Sequence, residues 1–208
     1  MTIRLHHGAL SRSVRIRWLL EEMGLEYEII PVTSIEEHHT EAFLAKNPLG
    51  LLPVLEDGDR VVFESGAIIE YLLETYGDHG LRPAKGTAEW IRYQEWLHAA
   101  ETVIQPLGHI LVNTIDRPGF EPPGGVQYPD LAAAWQPTHD RYMNALEGEL
   151  SDRDYIASDT FSGADIMLAY FVVGAQMFGQ LDAEKYPRLA AYAARLASRP
   201  AAQKAFSS

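Results

Sequence analysis

Cysteine is absent from the 208-residue chain. That excludes disulfides, thiolate metal sites and a redox thiol carried by the protein, so any thiol chemistry must use a sulfur brought by a ligand. Long apolar runs are missing too. None approaches the ~20 residues that span a bilayer, and the opening MTIRLHHG lacks the apolar stretch of a signal peptide. The cytoplasm is the expected compartment. Positive charge is scarce, with 17 Lys and Arg against 29 Asp and Glu, a formal net charge of −12. This argues against nucleic acid or an anionic membrane as partners, but a small anion can still bind where backbone N–H groups cluster. The early cations Arg12, Arg15 and Arg17 sit close together, and Arg15 and Arg17 read as the solvated face of a first helix.

What is present is an ordinary globular balance, 47% hydrophobic and 22% charged, in a length that suits one large or two small domains. Residues 3–7 read as a strand. A helix pattern over 13–23 follows, with Val14, Trp18, Leu19 and Leu20 at helical spacing and Gly24 as the stop. Residues 27–32 are β-branched enough for a second strand, and 38–46 read as a short helix ended by Asn47-Pro48. Two strands, 52–55 and 60–63, flank the hairpin signal Asp57-Gly58, and a helix over 65–76 ends at Gly77. This β-α-β-α-β-β-α order is an α/β unit of about 80 residues. The stretch 79–86 has no periodicity and reads as a linker. Beyond it only helices are expected, over 87–115, 130–150, 163–179 and 186–198, with a Pro/Gly-rich loop at 117–129 and no internal repeat. The fold class is therefore α/β plus all-α, with domains 1–78 and 87–208.

Three local signals gather at the edge of the α/β unit. Ser65 opens a helix directly after a strand; the hydroxyl fits an N-cap, and the same N-terminus suits a ligand carboxylate. Pro53 stands at a strand start, where it has no N–H to lose. Were the Leu52–Pro53 bond cis, the Leu52 backbone would be offered to an extended peptide. Finally, Ser11-Arg12-Ser13 lies at the mouth of the first helix, where hydroxyls either cap it or hydrogen-bond a sulfur held above it.

The combination resembles the glutathione transferases. The stretch 43–65, FLAKNPLGLLPVLEDGDRVVFES, is closely similar to that family's core, and Phe161-Ser162-Gly163-Ala164-Asp165-Ile166 looks like its capping box in the helical half. The opening Ser11-Arg12-Ser13, followed by RIRWLLEE from Arg15, is most similar to the bacterial and yeast subfamily, and no tyrosine lies in the first strand or loop to match the tyrosine classes. The resemblance implies a thioredoxin-like N-terminal domain followed by an all-helical domain, glutathione as co-substrate without a metal, and a homodimer. It places Ser65 with Glu64 at the γ-glutamyl carboxylate, Leu52 before Pro53 at the cysteinyl backbone, and His38 toward the glycyl carboxylate. Many relatives have Lys or Arg where this chain has Leu51, which leaves Lys46 or His39 as the nearby cations. Ungapped alignment sets Leu10 at the serine position of some classes; its neighbour Ser11 is the expected catalytic hydroxyl, Ser13 the runner-up and Arg12 an electrostatic helper. Trp96, His98, Ile104 and Leu111 are candidates for a second-substrate pocket, though ordinary core positions account for most of them.

Such an enzyme must form a thiolate near neutral pH from a thiol of pKa ~8.5. A drop of ~2 units requires ~2.7 kcal/mol. A hydrogen bond to a charged group supplies ~1.5–3 kcal/mol, and a helix N-terminus ~0.3–1. A serine hydroxyl above the first helix therefore suffices without a general base. Two alternatives stay open: a glutathione-binding or regulatory protein that makes no thiolate, and an enzyme of this fold working as a peroxidase, isomerase or disulfide reductase.

Overall fold

The computed structural model describes residues 2–115 and 125–207; most of the loop expected at 117–129 lies outside them. The packing divides the chain into two units, Met1–Ala84 with Ala197–Ser208, and Lys85–Leu196.

The first unit runs β1 (Ile3–His7), α1 (Ser13–Met23), β2 (Tyr27–Pro31), α2 (Ile35–His38), α3 (Glu41–Leu44), β3 (Val54–Asp57), β4 (Arg60–Phe63) and α4 (Ser65–Tyr76). The sheet order is β2-β1-β3-β4. β1 and β2 are parallel, as the intervening helix requires, and β3 runs antiparallel to both β1 and β4. Asp57 pairs with Arg60 across the hairpin, and Gly58 takes the positive φ of 60° that the tight turn needs. α1 ends at Gly24, whose left-handed φ of 64° lets its N–H return to the Glu21 and Leu20 carbonyls.

Several details depart from the sequence reading. The helix expected over 38–46 is shorter, α3 at Glu41–Leu44, and a separate short helix, α2 at Ile35–His38, stands before it, because Ser34 and Thr40 each accept a hydrogen bond from the backbone N–H three residues on and each starts its own turn. β3 begins at Val54, after Pro53, which has no N–H for the ladder. Arg15 is buried, not on a solvated face, since α1 is enclosed on most sides. A further helix, α9 (Pro200–Phe206), packs on α1. The Phe206 ring meets Trp18 edge-on at 6.2 Å, and Arg199 grips the Glu22 carboxylate with bonds of 2.6 and 2.8 Å.

The second unit contains α5 (Ala88–Thr114), α6 (Pro129–Glu149), α7 (Gly163–Met177) and α8 (Pro187–Ala197). Its core includes Tyr93, Leu97, Met143, Leu146, Phe171 and Tyr192. The start of α7 is tied to its surroundings by Asp165. This fully buried carboxylate accepts from the Ser162 N–H and hydroxyl (both 2.8 Å), the Ile156 N–H (2.9 Å) and the Tyr192 hydroxyl (2.7 Å). The spacing that suggested a capping box does form one. Among the described residues no helix is long and apolar enough to cross a membrane.

Candidate functional site

Strand register places the candidates. The ladders run to His6↔Val54 and Val54↔Phe63. The loop after β1, the segment before β3 and the residues after β4 therefore leave the sheet at one end. Gly8–Ser13, Leu52–Pro53 and Glu64–Ser65 are neighbours because the sheet makes them so. Gly8 is closely enclosed: a Cβ would stand 3.0 Å from the Val32 carbonyl oxygen and 3.1 Å from a Leu52 methyl, so a side chain here would require those neighbours to give way.

The loop after β1 carries a chain of hydrogen bonds. Ser11 and Ser13 hydroxyls are 2.6 Å apart, and the Ser13 Oγ is 2.7 Å from Nδ1 of His7. The Gly8 N–H points at the Ser13 Oγ from 3.3 Å, and the Ser13 N–H donates to the Ser11 Oγ at 3.2 Å. Ser13 and His7 are buried, whereas Ser11 is half-buried at the outer end. Burial, reinforced by the nearby Arg17 charge, holds the His7 pKa below its ordinary value, so the imidazole is neutral. Arg12 stands at the N-cap of α1 without capping it through its side chain. Leu10 adopts a φ of 58° and turns out to solvent, 54% exposed.

At the other wall, Ser65 is the first residue of α4 and Glu64 occupies the N-cap, with no side-chain cap bond at that end. Glu64 has φ 71° and ψ 122°, strained for a residue with a Cβ. That conformation turns the chain sharply from β4 into the helix and leaves the first-turn N–H groups without a side-chain acceptor from the cap. Ser65 itself is buried. The Leu52–Pro53 bond is cis, and the Leu52 side chain is anchored among Val32, Phe43 and Val54. Asn47, also buried, shapes the approach to it, donating to the Leu51 carbonyl at 2.7 Å and accepting from the Leu49 N–H at 3.0 Å.

His38 is half-buried; its Nδ1 lies 3.0 Å from the Gly50 carbonyl oxygen, which can only accept, so Nδ1 bears a proton. His39 is exposed. Lys46 is engaged elsewhere, its Nζ 2.6 Å from the Glu56 carboxylate, which also meets His6 at 2.5 Å. Burial pushes the Glu56 pKa up, but the hydrogen bonds from His6 and Lys46 outweigh it and hold the group at about 2. On α5, Leu111 is buried, Trp96 and Ile104 are half-buried, and His98 is exposed. Helical spacing puts Trp96, Ile104 and Leu111 within an arc of roughly 80°, with His98 roughly 200° round from Trp96. The structure thus groups three of these four and sets the histidine apart.

Two residues of this region were not singled out in the sequence. His7 looks like an ordinary strand residue, and only the fold reveals that a side chain six positions before Ser13 meets its hydroxyl. Gly8 is the second. The His-Gly junction immediately before the serine-rich helix start is the signal that points to both.

Family comparisons agree with this architecture. Residues 1–74 match the model described as "Glutathione S-transferase, N-terminal domain", and residues 114–200 match "Glutathione S-transferase, C-terminal domain". A glutathione S-transferase from Hyoscyamus muticus is 30% identical over 99% of this chain and 98% of its own length. Glutathione S-transferase 3 from Zea mays is 32% identical over 92% of this chain and 86% of its own. Among solved structures, the theta class glutathione S-transferase from Xanthomonas axonopodis pv. citri, with glutathione bound, superposes with a TM-score of 0.84 at 27% identity, covering 100% of this chain and 98% of the other. A thioredoxin-like sheet unit, a helical unit and homology along nearly the whole length lead to one conclusion: this chain belongs to the glutathione S-transferase family and is a glutathione transferase.

Proposed function

We propose that the chain binds glutathione at the end of the sheet where Gly8–Ser13, Leu52 and Ser65 converge, and activates its thiol with the Ser11 hydroxyl. The observation that carries this reading is the Ser11–Ser13–His7 chain, whose outer end is the half-buried Ser11 hydroxyl.

Each residue has a physical task. Ser65, at the N-terminus of α4 without a side-chain cap, offers hydroxyl, N–H and the positive end of the helix dipole to the γ-glutamyl carboxylate. Glu64 stands beside it to meet the α-amino group. Leu52 pairs its backbone with the cysteinyl unit as one strand pairs with another, and Pro53 holds the turn. His38, with Nδ1 committed to Gly50, has Nε2 left for the glycyl carboxylate. Lys46 serves that carboxylate only if it leaves Glu56. Ser11 donates to the sulfur and favours the anion, with Ser13 behind it and Arg12 contributing positive charge. The thiolate adds to a small electrophile, with Trp96, Ile104 and Leu111 on one side of α5 as the apolar candidates to receive it. The domain division follows residues 1–78 and 87–208, the assembly is a homodimer, and the compartment is the cytoplasm, where the enzyme serves detoxification.

The deciding experiment is calorimetry with glutathione together with ultraviolet titration of the bound thiol. Binding with a thiol pKa below the free value of ~8.5 supports the transferase reading. Binding with an unshifted pKa makes the chain a glutathione-binding module. A screen of electrophiles, peroxides and disulfides then separates conjugation from the other glutathione chemistries, and scattering that gives the mass of a single chain overturns the dimer.

A further inference from the structure

We infer that His7 is the positioning residue of this site: its Nδ1–H donates to Ser13, Ser13 donates to Ser11, and the Ser11 proton is thereby turned outward to the sulfur. The inference rests on the role given above to Ser11.

Protons and lone pairs fix the direction of the chain. A neutral imidazole and two hydroxyls bring three protons to a chain with two internal links, 2.7 Å from His7 to Ser13 and 2.6 Å from Ser13 to Ser11. One proton is left over and emerges at one end. If the chain points inward, Ser11 donates to Ser13, Ser13 donates to Nδ1, and the surplus proton sits on Nε2 of His7. Among the described residues Nε2 is buried and has no hydrogen-bond partner, and a buried orphan N–H is rare because its desolvation is uncompensated. If the chain points outward, the surplus proton is on Ser11, which reaches ligand or water.

Acceptor capacity favours the same direction. In the outward arrangement the Ser13 Oγ accepts from Nδ1 and from the Gly8 N–H, and the Ser11 Oγ accepts from the Ser13 hydroxyl and the Ser13 N–H. Both oxygens then have two lone pairs filled and one proton donated. In the inward arrangement Ser11 keeps an unfilled lone pair facing out, which repels an anionic sulfur. The alternative acceptor for the Ser13 proton, the Gly8 carbonyl, is 3.4 Å away and is the weaker choice. Burial and the Arg17 charge keep His7 neutral, which preserves the count of three.

The test has two arms on the full chain. Nitrogen-15 NMR of the unliganded protein, with the His7 signals assigned by their loss in His7→Asn, reads the tautomer directly; Nδ1–H is expected. An Nε2–H tautomer overturns the inference, and the Ser11 role is then decided by the titration of Ser11→Ala alone. In the second arm the thiol of bound glutathione is titrated. His7→Phe should raise its pKa by about one unit, a roughly threefold loss of thiolate at about pH 7 if the wild-type thiol sits ~2 units below ~8.5, with little change in glutathione affinity. His7→Asn, which carries an amide N–H close to where Nδ1 stood, should recover most of that loss. Equal titrations in the wild type and a folded His7→Phe variant overturn the inference. If His7→Phe does not fold, the tautomer alone decides. A titration unmoved by Ser11→Ala overturns the Ser11 role, and this inference with it.

Discussion

Serines open helices in both units, and their surroundings differ in one respect. At the start of α7, Ser162 directs its N–H and its hydroxyl to Asp165, and Asp165 fills its remaining capacity with Ile156 and Tyr192. Donors and acceptor match, and the cluster is sealed. At the start of α1 the Ser11–Ser13–His7 chain has one proton more than it can use internally, and at α4 the N-cap residue Glu64 makes no side-chain cap bond. A saturated cluster can only stabilise. A cluster with a valence left over at its accessible end can bind something. The residue type is the same in each place, so hydrogen-bond saturation, not composition, separates a structural serine from a functional one.

The largest test of this contrast is Asp165→Ala. It leaves four donors without their acceptor in a dry environment, and a loss of ~3–5 kcal/mol of stability is expected from breaking such a buried charged cluster. Denaturant unfolding measures it. Glutathione affinity of the protein that remains folded should hold. A midpoint equal to wild type would show that the cluster is dispensable.

The opposite pattern is expected at the open cluster. Ser11→Ala removes one charge-assisted hydrogen bond, so the bound thiol pKa should rise by ~1–2 units from ~6.5 and turnover at pH 7 should fall roughly 3–25-fold if thiolate supply limits the rate. Stability should fall modestly, because the buried Ser13 hydroxyl and N–H lose their acceptor, and glutathione affinity should scarcely change. A variant whose main defect is a lowered unfolding midpoint would place Ser11 with Ser162 as a structural serine. If Ser13→Ala alone shows the thiolate defect, the two hydroxyls exchange roles.

A smaller effect is expected at α4. Ser65→Ala removes one hydroxyl but keeps the backbone N–H and helix dipole, so glutathione binding should weaken by ~1–2 kcal/mol. Stability should fall less than binding, because no side-chain cap is lost. Calorimetry giving unchanged affinity in a folded variant counts against the carboxylate assignment.

How far the sequence could be read follows from the range of the interactions. The Ser162–Asp165 spacing, the Asp57-Gly58 turn and the Gly24 stop act over a few residues, and each appeared where its local chemistry placed it. The strand–helix alternation implies an α/β unit, and its four strands form one sheet, but the strand order β2-β1-β3-β4 is not contained in that pattern. Local competition is harder to read: Ser34 and Thr40 both cap, so the helix expected over 38–46 is confined to Glu41–Leu44 and another precedes it at Ile35–His38. Ser65 was read as an N-cap, yet the cap position belongs to Glu64 in a strained conformation that no propensity announces. His7 and Lys46 illustrate the real boundary. Their partners, Ser13 and Glu56, are fixed by how a strand leads into its helix and how α3 lies beside the sheet, and a linear pattern contains neither fact.

The smallest effect in this series concerns the saturated group nearest the open site. Glu56 receives Lys46 and His6 and has Arg4 at 3.6 Å, and its pKa is held at about 2 against an ordinary 4.5. A carboxyl whose folded pKa lies below its unfolded one binds fewer protons when folded, so its stabilising contribution is complete above pH 4.5 and disappears as pH falls from there to about 2. Glu56→Gln should flatten the stability–pH curve over that window and cost on the order of 1 kcal/mol at neutral pH, a modest figure because Lys46 is partly exposed and solvent screens the pair. The same substitution releases Lys46. If Lys46 is then able to reach the glycyl carboxylate, glutathione affinity should rise slightly at low ionic strength and lose that gain in salt. Unchanged affinity at every salt concentration would mean that Lys46 belongs wholly to the sealed class, and that His38 is the residue left to meet the glycyl end. A stability–pH curve that Glu56→Gln leaves unaltered would instead show that the ion pair is too well screened to count, and that α3 is held to the sheet by Phe43 and its apolar neighbours alone.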